Sequence, residues 1–191
     1  VNTNFGLCYA TSVALGTPVA TDDCGVASIT NNAPTNFLIG STTVTWTVTD
    51  YKGNSTTCTQ TVTVTDNQFP VITCPGNISQ PVTAGCSKSI ITTNPTTSDN
   101  CAVTKLTWTM TGATVASSAT TGINNVGTQT FNIGVTTVTY IAFDASGKSS
   151  DCSFTVTVTD DILPTFTTCP LPVINIHTNT GCTATGVTLV P

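Results

Sequence analysis

Glutamate and arginine are absent from this chain of 191 residues: its four bases are all lysines and its nine acids all aspartates. The residues that favour helices with ion-paired faces are therefore missing. Charged residues make up only 7% of the chain, the net charge is −5, and no basic run is present. Nothing stands ready to neutralise phosphates, which argues against nucleic acid and anionic membrane surfaces as partners. Catalytic groups are equally scarce. The single histidine, His177, lies in Val-Ile-Asn-Ile-His-Thr and reads as an exposed strand residue, there is no Glu, and no Ser or Cys sits in a nucleophile motif. The chain is not expected to be an enzyme. Mean hydropathy is positive, yet apolar residues alternate with Thr and never approach the roughly 20-residue run of a spanning helix, so membrane insertion is not expected. No CxxC pair occurs among the nine cysteines (8, 24, 58, 74, 86, 101, 152, 169 and 182). That pattern suits an oxidised framework better than a zinc site and points to an extracellular or periplasmic compartment. Val1 to Phe5 lacks the basic start and apolar core of a signal peptide, so the chain reads as mature or truncated.

What is abundant is threonine, about a quarter of the residues, together with Val and Ile. These are strand formers suited to a pleated, half-buried surface, and the class they imply is all-β. One block occurs twice, GSTTVTWTVTDYKGNSTTCTQTVTVTDNQFP at 40–70 and GVTTVTYIAFDASGKSSDCSFTVTVTDDILP at 134–164. In each, a strand sets apolar residues on one face (Val44, Trp46, Val48; Val138, Tyr140, Ala142) and mostly Thr on the other. A turn with Asp and Gly follows, then a second alternating strand with Val62 and Val64 or Phe154, Val156 and Val158, which makes a β-hairpin. Cys58 and Cys152 share the parity of these inward residues, so both thiols are expected to face the core.

Cysteine spacing extends the register. Cys8 to Cys24 is 16 residues and Cys86 to Cys101 is 15, but 58 − 24 is 34 while 152 − 101 is 51. The difference of 17 residues is an insertion in the second copy, placed at 110–126 and expected to form a long hairpin or loop. The organisation expected is a copy at 1–70 lacking its first strand residues, a complete copy at 71–164, and the start of a third at 165–191, which is too short to bury a core. The parent protein is expected to continue in both directions.

Three motifs in order resemble the hyalin repeat (HYR) family. They are Cys-Pro at 74–75 and 169–170, Thr-Asp-Asp-Cys-Gly at 21–25 with Ser-Asp-Asn-Cys-Ala at 98–102, and the closing strands Val62 to Pro70 and Val156 to Pro164. The resemblance covers nearly the whole chain; Ala102 in place of Gly and the insertion depart from it. It implies tandem immunoglobulin-like or fibronectin III-like β-sandwiches of about seven strands, stacked head to tail. Such arrays occur in large bacterial cell-surface adhesins, and the Thr-rich, Arg-poor style resembles those of gliding Bacteroidetes. The function implied is a stiff structural or adhesive spacer outside the cell, with neighbouring repeats and a surface glycan or protein as partners. The alternative is a glycan- or protein-binding module using the 110–126 insertion.

Within such sandwiches the expected disulfides are Cys24–Cys58 and Cys101–Cys152, then Cys74–Cys86 and Cys169–Cys182, with Cys8 unpaired. The junctions Thr65 to Pro70 and Thr159 to Pro164 are expected to be stiff, since each reaches a Pro without a Gly or Ser spacer. No cofactor other than calcium is expected. Calcium would sit at the junctions, held by Asp66, Asn67, Asp99, Asp144, Asp160 and Asp161, with Asp66, Asp99 and Asp144 able to converge. Against this, Asp and Asn are ordinary turn formers, and Asp50 and Asp144 suit that role. Thr-x-Thr arrays such as Thr43 to Thr49 read as solvent-facing strand rather than a flat lattice. Trp46 and Tyr140 read as core; Asn54 and Asn77 fit a glycosylation pattern that chance explains in so Asn- and Thr-rich a chain.

Overall fold

The computed structural model describes residues 1–168; His177, Cys182 and Cys169 lie outside them. Two compact units are present, Val1–Asp160 and Asp161–Pro191, and the first contains every regular element described. All of its elements are strands. In the first copy they are β1 (Tyr9–Thr11), β2 (Val26–Asn31), β3 (Asn36–Leu38), β4 (Gly40–Asp50) and β5 (Ser55–Val64). The second copy contains β6 (Val71–Thr73), β7 (Ile78–Pro81), β8 (Ser87–Ile91), β9 (Thr96–Ser98), β10 (Val103–Gly112), β11 (Ala116–Ser117), β12 (Thr128–Asn132), β13 (Gly134–Asp144) and β14 (Ser149–Thr159). No helix among the described residues is long and apolar enough to cross a membrane.

Each copy is a sandwich because its long hairpin is apolar on one face only. In the second copy that hairpin, β13–β14, sits in a five-stranded sheet ordered β11-β10-β13-β14-β7, faced by the pairs β12-β8 and β6-β9. The first copy has β2-β4-β5 faced by β1-β3. Strict alternation along β13 buries Thr136, Val138, Tyr140, Ala142 and Asp144, and their apolar members join Phe131, Phe154, Val156 and Val158 in one core. The first copy has a smaller core of Ala10, Phe37, Val44, Val62 and Val64, with Trp46 packed against it. Tyr140 is completely buried and accepts the Val126 backbone N–H on its hydroxyl at 3.0 Å. Trp46 is half-buried and donates from Nε1 to Gln60 Oε1 at 3.0 Å.

Residues 110–126 fold back onto the sheet. The short strand β11 pairs with the end of β10, Met110 opposite Ala116, and Met110 and Val126 enter the core. The turn out of β10 is made at Gly112, whose φ is +99° and whose missing Cβ would press on the Val135 carbonyl oxygen. Only glycine fits there.

The disulfides differ from the expected pairing. Cys74 bonds Cys152 and Cys8 bonds Cys101, with Cα atoms 5.7 and 4.6 Å apart, while Cys24, Cys58 and Cys86 are free and exposed. Cys101–Cys152 fails on strand geometry. Cys152 sits opposite Tyr140, whereas Cys101 lies beyond Val103, which is opposite Asp144. Four residues of strand, roughly 13 Å, separate those levels, twice the Cα distance a disulfide spans. The same offset, Cys58 opposite Trp46 and Val26 opposite Asp50, rules out Cys24–Cys58. Cys74–Cys86 fails because Cys74 is bonded to Cys152 and Cys86 stays free and exposed. β7 runs parallel to β14 with Ile78 beside Val156. Cys74 and Cys152 each precede those residues by four, and so come side by side. Cys152 packs against the core as its parity requires, whereas Cys58 is exposed and lines a groove with Trp46.

Candidate metal centre

The alternation that builds the first core continues past β5. Val62 and Val64 point inward, and Asp66, two residues further, is carried to the same side and is only 5% exposed. Its Oδ1 accepts from the Thr3 hydroxyl (3.3 Å), the Gln68 backbone N–H (3.0 Å) and the Asn100 side-chain amide (3.3 Å). Its Oδ2 accepts nothing. Gln68 ties the loop at 3–6 to the linker, accepting the Gly6 N–H at 2.8 Å and donating to Thr3 and the Asn4 carbonyl.

The second copy meets this surface with the turn at 98–102. Asp99 Oδ2 accepts the N–H groups of Cys101 (2.8 Å) and Ala102 (3.0 Å), an Asx turn. That holds the carboxylate rigidly, and its buried Oδ1 has no donor. Asn100 donates to the Leu7 carbonyl at 2.9 Å as well as to Asp66, and its own Oδ1 is buried and unpartnered. The Cys8–Cys101 bond closes the contact between the copies.

One carboxylate oxygen from Asp66, one from Asp99 and the Cys101 sulfur lie within 4.8 Å of one another. The sulfur is in a disulfide and is no thiolate, so the donor set is oxygen. The hydrogen bonds to both carboxylates come from neutral groups. Buried polar atoms without partners are rare enough to require a cause. Asp66 and Asp99 offer hard oxygen donors of the kind that Ca²⁺ accepts, and the Asn100 amide oxygen is a further buried oxygen without a partner.

The other expected ligands are placed differently. Asp144 is only 4% exposed; its Oδ1 accepts the Lys148 N–H at 2.7 Å and its Oδ2 is unpartnered. It lies opposite Val103, just past the Asp99 turn, but is outside the group within 4.8 Å. Its counterpart Asp50 is a satisfied turn acid. Asn54 donates to it from both side chain (2.8 Å) and backbone (2.9 Å), and that side-chain bond is the main influence holding the Asp50 carboxyl below its ordinary pKa. Lys148 occupies the position of Asn54 and instead places its ammonium 5.2 Å from the Phe69 ring centre. Asn67, Asp160 and Asp161 are exposed. Thr3 and Leu7 were not foreseen as parts of the junction, whereas Gln68 falls within the Thr65 to Pro70 segment that the sequence marks as one.

The sequence profile of the HYR domain matches residues 8–64 and 65–158. The chain belongs to the HYR domain family. Hyalin from Strongylocentrotus purpuratus is 37% identical to these HYR repeats over 151 residues, covering 74% of this chain and 11% of that protein. Hyalin from Lytechinus variegatus is 34% identical over 179 residues, 90% of this chain and 31% of that protein. The serine-rich adhesin for platelets of Staphylococcus aureus is 32% identical over 160 residues, 74% and 7% respectively. The chain spans less than a third of each of these relatives. Among solved structures, the HYR repeats resemble fibronectin(III)-like modules of Clostridium thermocellum CbhA (13% identity, TM-score 0.34, 74% of this chain and 83% of that one). They also resemble protocadherin gammaB7 EC3-6 (16%, TM-score 0.34, 72% and 40%). The all-β sandwich assignment rests on the strands described above.

Proposed function

We propose that this HYR segment is an adhesion-related extracellular spacer whose repeat junction takes up calcium and is stiffened by it. The observation that carries the reading is that Asp66 and Asp99, from successive repeats, bring a carboxylate oxygen each within 4.8 Å of one another, and that each carboxylate has a buried oxygen without a hydrogen-bond partner. A cation bound only when both repeats are docked stabilises the docked arrangement over every other. The hyalin and platelet-adhesin relatives support the adhesive and extracellular part of the reading. The 110–126 insertion favours the spacer over a binding module, since it lies along its own sheet and places Met110 and Val126 in the core.

Spin labels test the stiffening. Cys24 and Cys86 are exposed thiols, one in each repeat, and can be labelled without reduction in a chain carrying Cys58→Ser, Cys169→Ser and Cys182→Ser. The expected result is a narrow Cys24–Cys86 distance distribution in millimolar calcium that broadens in chelator. A distribution that calcium leaves unchanged contradicts the reading.

A further inference from the structure

The Cys8–Cys101 bond joins one repeat to the next, and the register shows that it is built from elements present in both described repeats. Cys86 occupies the place of Cys8, and Cys24 the place of Cys101. Both are free and exposed, and both sit in the local structure that makes the bonded pair. The Cys24 N–H donates to Asp22 Oδ1 at 2.9 Å, as the Cys101 N–H does to Asp99 at 2.8 Å. The loop leading to Cys86 hangs from the Val82 N–H on the Thr159 carbonyl (2.9 Å), as the loop leading to Cys8 hangs from the Thr3 N–H on the equivalent Thr65 carbonyl (3.0 Å).

We propose that Cys8–Cys101 is one rung of a disulfide ladder in which the second cysteine of each repeat bonds the Asp-x-Cys cysteine of the repeat that follows. Cys24 and Cys86 are open halves of further rungs. The partner of Cys86 is the Asp-x-Cys turn of a following HYR repeat, and that of Cys24 is the Cys8-type loop of a preceding one. Cys74–Cys152 is the other class of bond, internal to a repeat, and Cys58 occupies the place of Cys152 in the first copy. Each rung forms by exchange with a disulfide oxidant: the two thiols lose two protons and two electrons, the new Sγ–Sγ bond forms, and the oxidant's S–S bond breaks to a dithiol. The ladder gives successive repeats a covalent link besides the backbone, so that pulling force need not pass through the Asp66–Pro70 linker alone.

The test inserts a second copy of residues 71–164, carrying Cys86→Ser so that a single Cys86 remains, after Pro164 of the full chain. Non-reducing proteolysis and mass spectrometry are expected to find Cys86 of the first copy joined to Cys101 of the inserted one, with Cys86 lost to maleimide. The inserted copy's own Cys74–Cys152 bond reports that it has folded. A folded insert beside a maleimide-reactive Cys86 overturns the ladder, as does Cys101 paired within its own repeat. Cys8→Ser in the unaltered chain is an arm that needs no insert. It is expected to leave Cys101 as a free, reactive thiol with Cys74–Cys152 intact; transfer of Cys101 to Cys86 or Cys152 overturns the proposal.

Discussion

Replacing Cys152 by Ser is expected to lower the melting temperature of the second repeat by about 15–25 °C under non-reducing conditions, the largest effect of any single substitution considered. Cys74–Cys152 closes a sequence separation of 78 residues, and a loop of that length is worth about 4–5 kcal/mol in the entropic account of cross-linking. The bond also fastens the Cys-Pro segment and the start of β7 to β14, where only four parallel pairs, Ile78 to Pro81 against Val156 to Thr159, otherwise hold it. Cys58→Ser is the control. Its thiol is free and exposed, so a change within about 0.5 kcal/mol is expected. Equal losses at both positions in differential scanning calorimetry would contradict the assigned pairing.

Tyr140→Ala is expected to cost about 3–5 kcal/mol, read from denaturant unfolding. The ring has no exposed surface, stacks on Phe154 with centroids 6.5 Å apart, and its hydroxyl receives the buried Val126 N–H. Truncation empties the centre of the core and strands that N–H. Tyr140→Phe separates the two contributions: it keeps the packing and loses only the hydrogen-bond partner, for about 1–3 kcal/mol. Burial pushes the Tyr140 hydroxyl above its ordinary value of 10.0. Its neutral form is favoured in the fold, so this contribution is complete below that value and is lost as pH rises through the raised one.

Local pattern made most of the fold legible in advance. The period-2 alternation of Val138, Tyr140 and Ala142 and the Asp-Gly turns located the hairpins because those interactions lie within a few residues of one another. Parity also carried information about the junction that the expectation did not use. Asp66 follows Val62 and Val64, and Asp144 follows Tyr140 and Ala142, so both are turned inward by the pleat that buries their neighbours. The Cys24–Cys58, Cys101–Cys152 and Cys74–Cys86 pairings were read wrongly because the true partners are fixed by long-range facts, namely the parallel register of β7 on β14 and the contact of one repeat with the next. A sandwich considered one repeat at a time offers Cys101 no partner outside itself. Asp144 illustrates the same limit: its strand end was placed beside the Asp99 turn, but whether its side chain reaches Asp66 depends on packing that no local pattern encodes.

The central claim is that Asp66 and Asp99, brought together from successive repeats, hold calcium. Isothermal titration of the oxidised chain with calcium, set beside Asp66→Asn and Asp99→Asn, measures this directly. The account predicts a saturable site in the parent chain that either substitution removes or weakens at least tenfold. Calcium at about one hundred times the dissociation constant should also stabilise the parent chain, and neither variant, by about 2.7 kcal/mol. No calorimetric binding, or binding that survives both substitutions, would contradict it and leave these carboxylates as turn and packing residues.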